Sequence, residues 1–147
     1  MDVIDRQLLA LLQQNGKLSY AELGRRVGIA ISTVNDRLKK LHAAGAIRGQ
    51  VALVHPQAVG LDVCAFMQIL TDRPENEKIL LEHLLDMPEV QECHHITGEF
   101  SYLLKLRARN TEHLESLLGQ IKPLPGVLRT YTLVVLSSPK ETTAVPL

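Results

Sequence analysis

Apolar positions follow a helical period in the first part of the chain and an alternating one later. In residues 30–45, AISTVNDRLKKLHAAG, Val34, Leu38 and Leu41 fall at i, i+4 and i+7, which makes one apolar stripe on a helix. The opposite face carries Ser32, Thr33, Asp36, Lys39 and Lys40. Two further helices precede this one. Asp2 is the expected N-cap of the first, with Ile4, Leu8, Leu11 and Leu12 inward and Gly16 as its stop. Ser19-Tyr20-Ala21-Glu22 reads as a capping box, with Leu23 and Val27 as the buried side before Gly28. The third helix ends at Gly45. Three short helices, each closed by glycine, pack most economically as a helix-turn-helix. Residues 46–54, AIRGQVALV, alternate around a glycine as a short hairpin or single strand would, and resemble a wing.

Past His55-Pro56-Gln57-Ala58-Val59-Gly60 the period changes, which sets the boundaries at 1–54 for the helical domain, 55–61 for a linker and 62–147 for a second domain. Val63 to Leu70, Val90 to Thr97, Tyr102 to Arg107 and Leu128 to Leu136 read as strands. Between them, Glu75 to Met87 is a helix with Leu80, Leu81, Leu84 and Leu85 inward. Thr111 to Ile121 is another, with Leu114, Leu117, Leu118 and Ile121 inward. The order βαββαβ predicts a ferredoxin-like domain, an antiparallel four-stranded sheet with both helices on one face, and an α+β class for the whole chain. Two helices cover one face only, yet the first strand is apolar on both, with Val63, Ala65, Met67 and Ile69 on one side and Cys64, Phe66 and Leu70 on the other. The last strand is similar, so the second face is expected to be covered by another copy, making a dimer through facing sheets.

A formal net charge of zero hides an asymmetry. Residues 1–60 hold eight Lys/Arg against four Asp/Glu, a net +4, and the remainder carries −4. A basic head on an acidic body attracts phosphate locally and orients the encounter with double-stranded DNA. Ser32, Thr33, Asn35, Arg37, Lys39 and Lys40 are the candidate contacts of the third helix, Arg37 lying nearest the buried stripe, where it could instead close the helix packing. Arg25, Arg26 and Arg48 are candidates for the phosphate backbone, with ordinary solvated surface as the competing reading. Asp36 is expected to pair with Lys40 at i+4 rather than to read a base.

The opening MDVIDRQLL has no basic n-region or apolar h-region, and no apolar run approaches the length of a membrane span, so a cytoplasmic, non-membrane location is expected. Cys64 and Cys93 lie far apart without metal-ligand spacing, which suggests neither a disulfide framework nor a metal site. Cys93-His94-His95 is the one place where catalysis or metal binding could begin, but on a strand His94 faces away from its two neighbours. No triad, carboxylate pair or phosphate-cradling loop appears, so neither an enzyme nor a cofactor is expected.

With these elements in place, MDVIDRQLLALLQQNGKLSYAELGRRVGI, VNDRLKKLHAAGAIRG, ITGEFSYLLKLRA and LPGVLRTYTLVVL resemble the Lrp/AsnC, or feast/famine, family of regulators in the family's own order over nearly the entire chain. The resemblance implies a sequence-specific transcriptional regulator acting at palindromic promoter sites. It also implies dimers that assemble into tetramers or octamers, with an amino acid or related metabolite bound between dimers of the body domain. Carried over by position, the effector residues are Gly98, Glu99, Phe100 and Ser101 in the loop after the second body strand, with Leu133 and Val134 on the last strand. The family loop ends in an acid where this chain has Ser101, a neutral donor and acceptor. Ala30 stands where the family has a capping serine, so Ser32 is expected to cap a helix that starts slightly later. Two alternatives share the resemblance. One is a sirohaem-decarboxylase-like enzyme using His94 and His95 as bases; the other is a metabolite-binding module that does not bind DNA.

Overall fold

The computed structural model describes residues 1–147 and separates into two units, Met1–Leu53 with Lys140–Leu147, and Val54–Pro139. In the first, the stripes of α1 (Val3–Gln14), α2 (Tyr20–Val27) and α3 (Ile31–Ala43) converge on one core. Leu8, Leu23 and Val34 are fully buried there, with Leu9, Leu38 and Leu41 nearly so. Asp2 caps α1 reciprocally, its carboxylate accepting from the Asp5 amide at 2.9 Å while Asp5 accepts from the Asp2 amide at 3.0 Å. The helix stops at Asn15, one residue before the expected glycine. Asn15 leaves helical geometry at φ −148°, and its side chain accepts the Lys17 amide at 2.9 Å, so the asparagine supplies the break.

Ser19 accepts the Glu22 amide at 3.1 Å, but the other half of the expected capping box does not form, because the Glu22 carboxylate is held by Arg26 at 2.7 Å. Gly28, at φ 78°, closes α2 and starts the turn. Gly24 makes that turn possible: a Cβ on it would meet the Ile29 carbonyl oxygen at 2.6 Å. α3 begins at Ile31 with Ala30 as an uncapped N-cap, so Ser32 lies inside the helix and does not cap it. At its other end the Gly45 amide donates to His42 and the Ala46 amide to Leu41, a Schellman closure with Gly45 at φ 72°.

The expected wing strand is not formed. Residues 48–55 have no regular structure, and Val51 and Leu53 are largely exposed, since an extended segment needs a neighbouring strand to become a ladder. The segment read as a linker carries a 3-10 turn, Pro56–Val59, ended by Gly60 at φ 78°. A second correction concerns Lys140–Leu147, which group with the helical unit and not with the body. The Gln13 side-chain amide pairs with both backbone groups of Val145, at 3.0 and 2.7 Å.

The second unit is β1 (Val63–Thr71), α4 (Pro74–Asp86), β2 (Val90–His95), β3 (Tyr102–Ala108), α5 (Thr111–Ile121) and β4 (Val127–Val134), with antiparallel sheet order β2-β3-β1-β4. Ala65, Met67, Ile69, Leu104, Leu106, Leu80, Leu84 and Ile121 are fully buried between the sheet and its two helices. Leu85, expected inward, is 69% exposed, because only part of the α4 circumference meets the sheet. The opposite face of the sheet carries Phe66 beside Leu133, Gln68 beside Tyr131 and Leu70 beside Arg129. Leu133 and Tyr131 are about half exposed on it.

Candidate functional sites: the third helix and the β2–β3 loop

Anchored through Val34, Leu38 and Leu41, α3 turns Ser32, Asp36, Lys39 and Lys40 outward, with Thr33 and Asn35 half-buried beside them. Ser32, freed from capping, keeps its hydroxyl for an outside partner. Asp36 does not form the ion pair expected with Lys40; both are exposed. Arg37 departs from the expected set. Its guanidinium lies 2.7 Å from the Asp2 carboxylate and 2.9 Å from that of Asp5, fastening α3 to the first turn of α1. The Asp5 amide, and after it the Arg37 guanidinium, hold the Asp2 carboxyl below its usual range, while the two carboxylates raise Arg37. A cleft of about 610 Å³ beside this contact is lined by three carboxylates, Asp2, Asp5 and Asp36, and two cations, Arg37 and Lys40, a balance that does not favour phosphate.

On α2, Arg26 is engaged by Glu22 at 2.7 Å and the more exposed Arg25 lies 3.8 Å from the same carboxylate. Arg48 is exposed. Of the cations expected to meet DNA, Lys39, Lys40 and Arg48 therefore point outward, with Arg25 loosely tethered.

The β2–β3 loop is built differently. Gly98 turns it at φ 108°, a region closed to most side chains. Glu99 is ion-paired to Arg129, whose guanidinium lies 5.2 Å from the Phe100 ring centre, and Phe100 is 6.4 Å from Tyr131. Ser101 binds the loop to the end of β1: its amide donates to Ile69 at 2.8 Å, and its hydroxyl accepts from the Thr71 amide at 3.3 Å. Thr71 donates its own hydroxyl proton to Glu77 at 3.0 Å, so in the 2.9 Å contact between hydroxyls Ser101 is the donor. Tyr102 donates to the other Glu77 oxygen at 3.3 Å. From Ser101 a chain of hydroxyls thus runs to a carboxylate on α4. Burial, then the Glu77 charge, push the Tyr102 phenol upward.

Of the six residues carried over by resemblance, Gly98, Glu99, Phe100 and Ser101 sit together in this loop. Leu133 shares the outer sheet face with Phe100 but pairs with Phe66 further along the strand, and Val134 opposes Ala65 on the helix-covered side. Alternation along the edge strand β4 points the two side chains to opposite faces, each about half exposed. Arg129 and Tyr131 contact the loop instead; they share the period-two face of Leu133, a signal present in the sequence. Cys93 and His95 face the helices and His94 the other side; His95 stacks on Tyr102 at 4.9 Å, and burial raises the Cys93 thiol. The two imidazoles therefore lie on opposite faces of the sheet.

Both units match known domains. The AsnC-type helix-turn-helix domain matches residues 1–42 and the Lrp/AsnC ligand binding domain residues 64–145. An HTH-type transcriptional regulator of Pyrococcus abyssi is 36% identical over 147 residues, covering 100% of this chain and 97% of its own. The proline dehydrogenase transcriptional activator of Rhizobium radiobacter is 39% identical, with 97% and 93% covered. A Neisseria meningitidis transcriptional regulator solved as an L-Met complex superposes with a TM-score of 0.95 at 31% identity, covering 99% of this chain and 96% of that one.

Proposed function

This chain belongs to the Lrp/AsnC family of transcriptional regulators, and from that premise we propose that it binds palindromic promoter DNA as a dimer through α3 and answers to an amino acid held at the β2–β3 loop. The observation that carries the DNA reading is the outer face of α3, where Ser32, Lys39 and Lys40 stand free while Arg37 is retracted into the packing. Ser32, Thr33 and Asn35 reach base edges, and Lys39, Lys40 and Arg48 meet phosphate, with Arg25 and Arg26 at the flank. The half-exposed outer sheet face, with Phe66, Tyr131 and Leu133, favours a second copy of the chain as its cover, and dimers of that kind build tetramers or octamers. The solved L-Met complex of a similar regulator supports an amino acid as the effector class, and a cytoplasmic site of action follows from promoter DNA as the partner.

The test is fluorescence anisotropy with the DNA upstream of the gene for this protein, across a salt series, with and without a pool of the twenty amino acids. Sequence-preferring binding that weakens steeply with salt and shifts with one amino acid is the expected result. Equal affinity for random DNA at low salt would remove the regulator reading at this site. Binding that no amino acid alters would remove the effector.

A further inference from the structure

The large apolar side chains of α3 are buried, with one exception. Val34 is fully buried and Leu38 and Leu41 are 4% and 6% exposed, whereas Ile31, the first residue of the helix, is 55% exposed. A single apolar residue on a surface needs no explanation by itself. Here its position supplies one. The N-terminal residues of a recognition helix are those that reach base edges when the helix enters the major groove. At that end the helix offers Ile31, Ser32 and Asn35, and Ile31 and Asn35, four residues apart, share one edge. Ala30, the N-cap, has no side-chain hydrogen bond, so nothing from the cap folds over Ile31.

In the major groove one base edge is apolar, the C5-methyl group of thymine; the other groups there are hydrogen-bond donors and acceptors. An isoleucine desolvating guanine or cytosine edges would leave polar groups unpaired, whereas against a thymine methyl it buries carbon on carbon. Asparagine is the side chain whose amide fits adenine, the partner of thymine. We propose that Ile31 is a specificity-determining residue that packs on the methyl group of a thymine in each half-site, next to the bases reached by Ser32 and Asn35. The proposal rests on the DNA-binding reading above and adds to it the identity of one base.

Deoxyuridine tests this, because it removes the methyl group and leaves the pairing edge of the base unchanged. Each thymine of one half-site in the protected upstream fragment is replaced in turn by deoxyuridine. Affinities are then measured for the unaltered protein, Ile31→Ser and Ile31→Val. At one position the replacement weakens binding by about three- to fourfold for the unaltered protein. It does so for Ile31→Val as well, and has no effect on Ile31→Ser. Because Ile31 is exposed, the serine variant keeps its fold, which circular dichroism and unchanged affinity for random DNA verify. Equal sensitivity of Ile31→Ser and the unaltered protein at every position, or no sensitive position, overturns the proposal while leaving DNA binding intact. Absence of sequence-preferring binding by the unaltered protein overturns the reading it rests on, and the proposal with it.

Discussion

Arg37 and Asp2 are 2.7 Å apart, and this contact, with that of Arg37 to Asp5 at 2.9 Å, makes the guanidinium of the DNA-facing helix a clamp on the first. Arg37→Ala is expected to lower the thermal midpoint of the helical unit at neutral pH. The pH dependence has a definite sign. Asp2 titrates below its ordinary value near 3.8, so its contribution is present above that value and is lost as the pH falls through the lower folded value. Arg37 stays charged throughout. Thermal unfolding at pH 7 and at pH 3 should therefore show a difference between the two proteins that narrows in acid; a difference that does not change with pH would contradict the clamp.

Lys39→Ala/Lys40→Ala should weaken binding to specific and random DNA alike, and reduce the slope of log affinity against log salt by about 2. Arg37→Ala, studied where it remains folded, should leave that slope unchanged, since its charge is already neutralised by Asp2 and Asp5. A salt series on the two variants separates the outward cations from the retracted one.

Gly24→Ala adds one methyl group where the Ile29 carbonyl oxygen would lie 2.6 Å away. Backbone atoms on that side cannot swing aside, so the α2–α3 turn must open, at a cost of about 1–3 kcal/mol. Denaturant unfolding followed together with DNA affinity should register both losses. Unchanged stability would mean that the turn has slack.

Ser101→Asp supplies the acid of the family loop, yet in this chain it is expected to destabilise. Its carboxylate would replace a hydroxyl 2.9 Å from Thr71, which already donates to Glu77, and two carboxylates would then compete for one hydroxyl. The loss, about 1–3 kcal/mol at neutral pH, should ease as the solution is made acidic, because a proton taken up by the pair relieves the repulsion. Glu77→Gln should restore much of the stability at neutral pH. A double-mutant cycle at pH 7 measures this coupling, and additive effects would disconnect the two positions.

Much of the scaffold was open to reading from residues alone. The stripe Val34, Leu38, Leu41 and the alternation of Ala65, Met67, Ile69 are local periodicities, and burying them leaves few arrangements for three short helices or a βαββαβ chain. The glycines at 28 and 45 mark their turns because each adopts a positive φ, a local requirement. The loop Gly98–Ser101 was picked out through the family resemblance, and its four residues stay together in the fold because they are adjacent in sequence.

Tertiary structure decided the partners. Charge grouped Arg37 with Lys39 and Lys40, while its place beside the buried stripe left packing as the alternative; only the approach of α1, which brought Asp2 and Asp5 to it, decided between them. Asp36 and Lys40 have the spacing of an ion pair, but exposed long side chains gain little from holding one, and here they do not form it. The wing strand failed because a ladder requires a second strand that the local sequence cannot supply. The assignment of the last eight residues turned on Gln13, 132 positions from Val145. Sequence by itself determined the elements and the faces they bury, since both follow from short-range period and turn chemistry. Which polar groups are used up and which remain free for DNA or an effector depends on contacts between residues distant in the chain, and those exist only once the fold has brought them together.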